Sequence, residues 1–467
     1  MPIDLRLDAS EVPLLTDLYE LTVAAAFFAH GLNDAGSFEL GIRRLPPGRG
    51  YMIAAGVERL IEALEEYRFD EKAIAHLRSL DLFTPEFLDY LASFRFSGAV
   101  RALPEGTIFF AGQPVVEIHA PLIEAQLIET IALNQVGFAS MAATKAARCV
   151  GVAAGRRLID FGPRRAQGAD ATLITARSSY IAGFHGTANV LAGMRYGIPV
   201  FGTMSHSFIM AHETERKAFE DFIDNFPKLS TLLVDTYDTV RGVAIASEIG
   251  ARMRARGLKL QAIRLDSGDL PDLSRKARRL LDQANLKDTA IFASGNLDEY
   301  KIAELVDSSA PIDAFGIGTS LAVSDDAPAG DFTYKLVEYK GTGRLKTSAG
   351  KLSTPGRKQI FRGFNSSGIA MGDLIGLLDE SASTVTREFK SPPAKVTPLL
   401  ETMMEVGRRI MPRPELATIR TNLASGLAAL DPRIKMLRRP AEYSARQTAA
   451  LGALVISEKL KAENRQA

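Results

Sequence analysis

LQAIRLDSGDLPDLSRKARRLLDQANLKDTAIFASGN, residues 260–296, contains an apolar run, a polar turn, a helical stretch over 271–286 and a second apolar run. Each apolar run ends in residues that favour turns, Asp266-Ser267-Gly268-Asp269 and Ser294-Gly295-Asn296. This is a strand, a crossover helix and a parallel strand. The same alternation extends in both directions. Strand-like runs stand at RRLIDFG (156–162), GIPVFGTM (197–204), STLLVDTYD (230–238), LQAIRLDSGD (260–269), DTAIFASGN (288–296) and IDAFGIGT (312–319), with helical stretches at 177–196, 212–225, 239–255, 271–286 and 297–307. Six such units predict a parallel α/β sheet; their spacing suits a barrel and an open doubly wound sheet equally.

Outside this region the pattern changes. Residues 14–31 predict an amphipathic helix with Thr16 at its N-cap and Gly31 as its stop. Residues 36–120 predict mixed strands with a helix at 56–67, and 121–155 a long helical stretch. Beyond 330, DFTYKLVEYK (331–340) and RKQIFRGF (357–364) predict antiparallel strands, and 397–467 reads as mostly helical with several Arg.

The 467 residues allow roughly two to four domains at about 150 residues each. Lys and Arg total 56 against 55 Asp and Glu, and a formal charge of +1 gives no support to nucleic-acid binding. A single Cys149 excludes an intramolecular disulfide framework and a Cys-rich zinc module. The six His are scattered at 30, 76, 119, 185, 206 and 212 without metal-ligand spacing, so no dedicated metal site is expected. The opening MPIDLRLDASEVP lacks a signal core or transit-peptide character, and no run reaches the roughly 18 apolar residues of a membrane span. A cytoplasmic chain with no membrane partner is expected.

In parallel α/β folds ligands bind beyond the carboxyl ends of the strands. Here those ends carry Asp160-Phe161-Gly162-Pro163-Arg164-Arg165, Gly202-Thr203-Met204-Ser205-His206, Asp235-Thr236-Tyr237-Asp238, Arg264 with Asp266, Ser294-Gly295-Asn296 and Gly316-Ile317-Gly318-Thr319. Turn chemistry explains any one of them. Jointly they put arginines, a His, carboxylates and two Gly-rich turns on one face, an inventory suited to a ligand with phosphates and a carboxylate. No Walker A sequence occurs, and Gly316-x-Gly318 lacks the third Gly of a dinucleotide fingerprint.

Taken together the strings resemble nicotinate phosphoribosyltransferase, of the type II phosphoribosyltransferase superfamily. LLTDLYELT (14–22), ALNQVGFASMAATKAAR (132–148), FGPRRAQG (161–168), GFHGTANVLAG (183–193), GTMSHSF (202–208), VDTYDT (234–239), RLDSGDL (264–270), ASGN (293–296) and FGIGTSL (315–321) carry the resemblance in order. It implies an irregular α/β, TIM-like barrel with a smaller discontinuous α/β sandwich domain and a helical C-terminal region. The boundaries expected are an N-terminal helix in 1–35, contributing to the barrel domain and a dimer interface; a sandwich of 36–125 plus 333–396; a barrel of 126–332; and a helical region of 397–467. The implied reaction joins nicotinate and phosphoribosyl pyrophosphate into nicotinate mononucleotide and pyrophosphate for NAD biosynthesis. Coupled ATP hydrolysis proceeds through a phosphohistidine, with Mg²⁺ on the phosphates and a homodimer sharing its active sites.

The resemblance assigns roles by position. His206 is the phosphorylated nucleophile, suited because a neutral imidazole is nucleophilic near pH 7. Asp235 either fixes the tautomer of His206 or merely forms its turn. Tyr19, from the partner subunit, and Phe161 sandwich the pyridine ring, although helix pattern alone makes Tyr19 a core aromatic. Arg164 and Arg165 meet the nicotinate carboxylate or the 5′-phosphate. Arg264 and Asp266 bind the ribose and pyridine side, or form an internal ion pair. Ser294, Gly295, Asn296, Gly316, Gly318 and Thr319 cradle the 5′-phosphate. Lys145 and Arg148 share a helix face that is either solvated or a pyrophosphate contact. Thr187 belongs to the turn that separates acid from amide. The nicotinamide enzyme has an Asp after Gly-Thr, whereas this chain has Gly186-Thr187-Ala188-Asn189, so nicotinate is the expected substrate. The alternatives are a nicotinamide enzyme, a silent binding homologue, and an unrelated aldolase, which would want a Lys at a strand end where none stands.

Overall fold

The computed structural model describes residues 10–347 and 353–464. The chain forms two compact units, Ala142–Pro328 and the remainder on either side of it.

In Ala142–Pro328 six parallel strands lie in the order Gly186–Thr187, Arg157–Asp160, Ala314–Ile317, Ala290–Ala293, Ala262–Leu265, Thr231–Leu233. A parallel bridge from Thr187 to Val200 extends the first edge. In chain order each strand except Thr231–Leu233 lies beside its predecessor, and the last returns to the first, Ala314 pairing with Arg157 and Ile317 with Asp160. That cyclic order belongs to a barrel; a doubly wound sheet reverses at an internal strand. Among the described residues no strand pairing spans the step from Val200 to Thr231, so the ring has one seam. The implied irregular barrel is therefore the architecture found.

The apolar runs become strands because both faces are covered: Ala262–Leu265 and Ala314–Ile317 are buried at every position. GIPVFGTM contributes only the Val200 bridge, since Pro199 has no N–H to give a ladder and Gly197 is the left-handed cap of the preceding helix. Its place is taken by Gly186–Thr187, inside the 177–196 stretch expected as one helix. That stretch is instead the end of the helix Ala169–Ile181, the short strand and the helix Val190–Tyr196.

The turn residues divide their work. Asn189, Asp238, Asp269 and Asp298 are N-caps, accepting from the backbone N–H of Ala192, Arg241, Asp272 and Lys301 at 2.7–3.1 Å. For these the ordinary turn reading is correct. The residues nearer the strand ends, Asp235, Asp266 and Ser294, are left to the site.

The other unit holds an antiparallel seven-stranded sheet and a four-stranded sheet. In the first, Ala35–Ile42 pairs with Phe332–Tyr339 and Pro114–Pro121. In the second, Lys358–Phe364 pairs antiparallel with Ala370–Leu377, as expected. The N-terminal helix is Leu18–Ala29, with Asp17 rather than Thr16 at its N-cap; the Thr16 hydroxyl donates to Glu20 instead, at 2.7 Å. Residues 397–467 carry the helices Leu416–Ala428 and Ala449–Asn464, and also strands at Glu401–Glu405 and Ala445–Gln447. Glu401–Glu405 turns back to Arg408–Arg409 through Val406 and Gly407, both at positive φ, a hairpin without the usual Asn-Gly signal. No described helix is long and apolar enough to cross a membrane.

Candidate active site

Arg264 is the hub of the barrel's carboxyl end. Its strand buries it to 8 % exposure, and its guanidinium donates in three directions, each at 2.8 Å: Nε to Ser294 Oγ, Nη1 to Thr203 Oγ1 and Nη2 to Asp266 Oδ1. The Ser294 hydroxyl donates in turn to Asp266 Oδ1. Burial raises the affinity of Asp266 for a proton, but the Ser294 and Arg264 hydrogen bonds and the Arg264 and His206 charges outweigh it, holding the carboxyl below its usual range. The internal ion pair is thus formed. The Arg264 guanidinium also covers the Phe161 ring, 5.4 Å from its centroid.

His206 opens the short helix His206–Met210, capped by Ser205. Its Nδ1 lies 3.0 Å from Thr236 Oγ1 and its Nε2 lies 3.8 Å from Asp266 Oδ2. The side chain that meets the other ring nitrogen is thus Thr236 and not Asp235. Asp235 turns the other way, its Oδ2 accepting from the Asp266 N–H at 3.0 Å and the Ser267 hydroxyl at 2.6 Å. Its Oδ1 is buried with no hydrogen-bond partner. That oxygen and Asp266 Oδ2 suit a hard cation arriving on phosphates, which takes one or two protein carboxylates. Among the described residues no group of three or more His, Cys, Asp or Glu side chains is placed to hold a metal.

Phe161, Arg164, Ala188, Thr203, Met204 and Arg264 line a cleft of about 450 Å³ together with Phe201, Phe208, Phe222 and Phe226. Phe161 leans on Phe292 at 5.4 Å, and Gly316 gives it room: a Cβ there would stand 2.6 Å from the Phe161 ring. Arg165, exposed like Arg164, is not part of the lining. Thr187 is wholly buried, and its hydroxyl donates to Asp160 Oδ2 at 2.6 Å, so it supports the wall rather than forming it; Ala188 is the cleft residue. Asp160, Thr203 and Thr236 draw no role from the sequence, although Asp160 adjoins Phe161 and Thr236 adjoins Asp235.

At the next strand ends Gly295 and Asn296 are both exposed and both at positive φ, and a Cβ on Gly295 would stand 1.9 Å from the Asp266 carbonyl oxygen. Gly318 and exposed Thr319 start the helix Thr319–Ala322. Lys145 and Arg148 do not form a solvated face. Lys145 is 1 % exposed, its Nζ 2.6 Å from Glu299, 2.8 Å from Asp325 and 3.0 Å from Asp326; Arg148 donates to Glu299 at 2.9 Å and to the Tyr300 hydroxyl at 3.0 Å. They bind segments that follow the two Gly-rich turns.

In the other unit Tyr19 is 47 % exposed, not a core aromatic. Partial burial and then the Glu129 carboxylate raise its hydroxyl pKa above the ordinary value.

Residues 14–137 match the nicotinate phosphoribosyltransferase (NAPRTase) N-terminal domain, residues 156–373 the nicotinate phosphoribosyltransferase (NAPRTase) family and residues 357–454 the nicotinate phosphoribosyltransferase C-terminal domain. The chain is 48 % identical over 425 residues to nicotinate phosphoribosyltransferase pncB2 of Mycobacterium tuberculosis, covering 91 % of this chain and 89 % of that one. It is 37 % identical to the Bacillus subtilis nicotinate phosphoribosyltransferase, covering 92 % and 91 %. The crystal structure of human nicotinic acid phosphoribosyltransferase superposes with a TM-score of 0.82 at 30 % identity, covering 95 % of this chain and 99 % of that one.

Proposed function

The chain belongs to the nicotinate phosphoribosyltransferase family, glycosyl-transferring enzymes of NAD biosynthesis, and we propose that its reaction runs on the constellation around His206, Arg264 and Asp266. Nicotinate lies in the cleft against Phe161 with its carboxylate toward Arg164, Arg165 adding positive charge outside the lining. The ring nitrogen attacks the anomeric carbon of phosphoribosyl pyrophosphate; the bond from that carbon to pyrophosphate breaks, and pyrophosphate leaves with its electrons. Positive charge grows on the ribose, where Asp266, held ionised by Arg264 and Ser294, stabilises it. The Gly295–Asn296 and Gly316–Thr319 turns hold the 5′-phosphate with backbone N–H groups.

ATP enters through His206. With Thr236 Oγ1 accepting from Nδ1–H, Nε2 carries the lone pair. Nε2 attacks the γ-phosphorus, ADP leaves, and water later releases orthophosphate from the phosphohistidine. Mg²⁺, when bound, neutralises phosphate charge, and Asp235 and Asp266 are the residues that would hold it. The exposure of Tyr19 supports a homodimer in which the partner subunit's Tyr19 covers the second face of the nicotinate ring. A balanced charge and a single buried Cys149 agree with a cytoplasmic enzyme without nucleic-acid or membrane partners.

The observation that carries this reading is the position of His206 between Thr236 and an Asp266 already bound by Arg264 and Ser294. Incubation with phosphoribosyl pyrophosphate, Mg²⁺, ATP and either nicotinate or nicotinamide tests it. Nicotinate mononucleotide and ADP should form together; product from nicotinamide alone, or from neither, contradicts it.

A further inference from the structure

Asp160 ends the first barrel strand, is wholly buried, and takes no part in the chemistry proposed above. Its Oδ1 accepts from the Gly162 N–H at 2.7 Å and its Oδ2 from the Thr187 hydroxyl at 2.6 Å. Its carbonyl accepts from the Ala188 N–H at 2.8 Å. The Thr187 hydroxyl in turn accepts from the Asn189 N–H at 3.0 Å, and Asn189 caps the helix Val190–Tyr196. All these partners are neutral. A buried carboxylate without a cation beside it is costly, so its presence calls for a task that an amide or an apolar side chain cannot perform. Here that task is to accept at once from two donors, one in the turn after its own strand and one at the end of the neighbouring strand. An Asn would satisfy one and turn its own NH₂ toward the other.

We propose that Asp160 is a positioning residue for nicotinate recognition: its carboxylate clamps the turn carrying Phe161 and Arg164 to the turn carrying Thr187 and Ala188, so that these two walls of the cleft keep one spacing. The inference rests on the reading of this cleft as the nicotinate site. A loss of the clamp lets the ring-stacking face and the carboxylate-facing wall drift apart, which weakens nicotinate binding more than it weakens the phosphate-bearing substrate, held by turns on other strands.

Steady-state kinetics of the full chain test this with Asp160→Asn, Thr187→Val, Thr187→Ser and the double variant Asp160→Asn/Thr187→Val. KM for nicotinate should rise about tenfold in Asp160→Asn and Thr187→Val, as expected for one lost buried hydrogen bond. KM for phosphoribosyl pyrophosphate should stay within roughly twofold, Thr187→Ser should restore the wild-type value, and the double variant should be no worse than the poorer single one. An unchanged nicotinate KM, equal rises for both substrates, or multiplying effects overturn the clamp. Hydrogen exchange supplies a readout free of turnover: segments 161–166 and 187–192 should lose protection together in Asp160→Asn while 294–296 does not, and loss in only one overturns the clamp. Should Asp160→Asn fail to fold, Thr187→Val carries both measurements. A wild-type chain without nicotinate turnover but with the paired exchange response would sink the proposed function and leave the clamp standing.

Discussion

Thr236 Oγ1 stands 3.0 Å from Nδ1 of His206, while the adjacent Asp235 faces the backbone and hydroxyl of the next loop. In the mechanism proposed above that hydroxyl accepts from Nδ1–H, which leaves Nε2 as the nucleophilic nitrogen. Thr236→Val removes that partner without changing the side chain's shape. The rate of histidine phosphorylation in rapid-quench experiments should fall on the order of tenfold to a hundredfold, and Thr236→Ser should recover most of it. Equal rates for Thr236→Val and wild type would show that the hydroxyl does not orient the ring.

Arg264 holds Ser294, Thr203 and Asp266 from one buried guanidinium. Arg264→Ala removes all three donors at once and leaves Asp266 beside an emptied space. kcat/KM should drop by roughly 10²–10³, and unfolding free energy by about 3 kcal/mol. Arg264→Lys, a point charge without the planar fork, should fall between the two. Urea titration and steady-state assay separate the effects; a variant that loses stability alone contradicts the site role.

Ala188 lines the cleft with Arg164, and the family resemblance implies that the nicotinamide-using enzyme carries an Asp there. Ala188→Asp puts an anion against the nicotinate carboxylate. kcat/KM for nicotinate should fall roughly a hundredfold, about 3 kcal/mol, while that for nicotinamide should fall less or rise. Competition between the two substrates in one assay reads the ratio directly, and an unchanged ratio places the discrimination elsewhere.

Burial pushes the Asp160 carboxyl up to about 6, against the opposing pull of the Thr187 and Gly162 hydrogen bonds. Unfolded, the same group titrates near 4. Between those values the folded chain binds the extra proton, so this group makes the protein more stable as pH falls from about 6 toward 4 and less stable as pH rises through that window. The full swing is about 2–3 kcal/mol. The Tm difference between wild type and Asp160→Asn should shift in favour of wild type as pH drops from about 6.5 to 5, and a flat difference rules out the raised carboxyl.

The sequence made the barrel's inner strands legible because burial on both faces demands continuous apolar runs such as Ala262–Leu265 and Ala314–Ile317. Gly186–Thr187 stayed hidden, since two residues make no run. The return of Ala314–Ile317 to Arg157–Asp160, which makes the ring, is a pairing between distant segments that no local period encodes. In the site, residue types at the strand ends were readable and their partners were not. Lys145 and Arg148 showed a shared helix face, but Glu299, which opens the helix Glu299–Asp307, and Asp325 and Asp326, which cover it, come from two later segments. Whether Asp235 or Thr236 met His206 depended on the course of one turn. The buried hydroxyl of Thr187 and the carboxylate of Asp160 acquire meaning only when their two strands pair.

The central claim is that His206 carries the phosphoryl group from ATP. The direct measurement is incubation with γ-³²P-labelled ATP and Mg²⁺, followed by alkaline quench and comparison with an acid-treated sample. The account predicts one alkali-stable, acid-labile label per active chain in the wild type, mapped to the peptide containing His206 and absent from His206→Ala, which should also lose ATP hydrolysis while retaining slow, uncoupled nicotinate mononucleotide formation. Label that persists in His206→Ala, or ATP hydrolysis in that variant that keeps step with product, would contradict it.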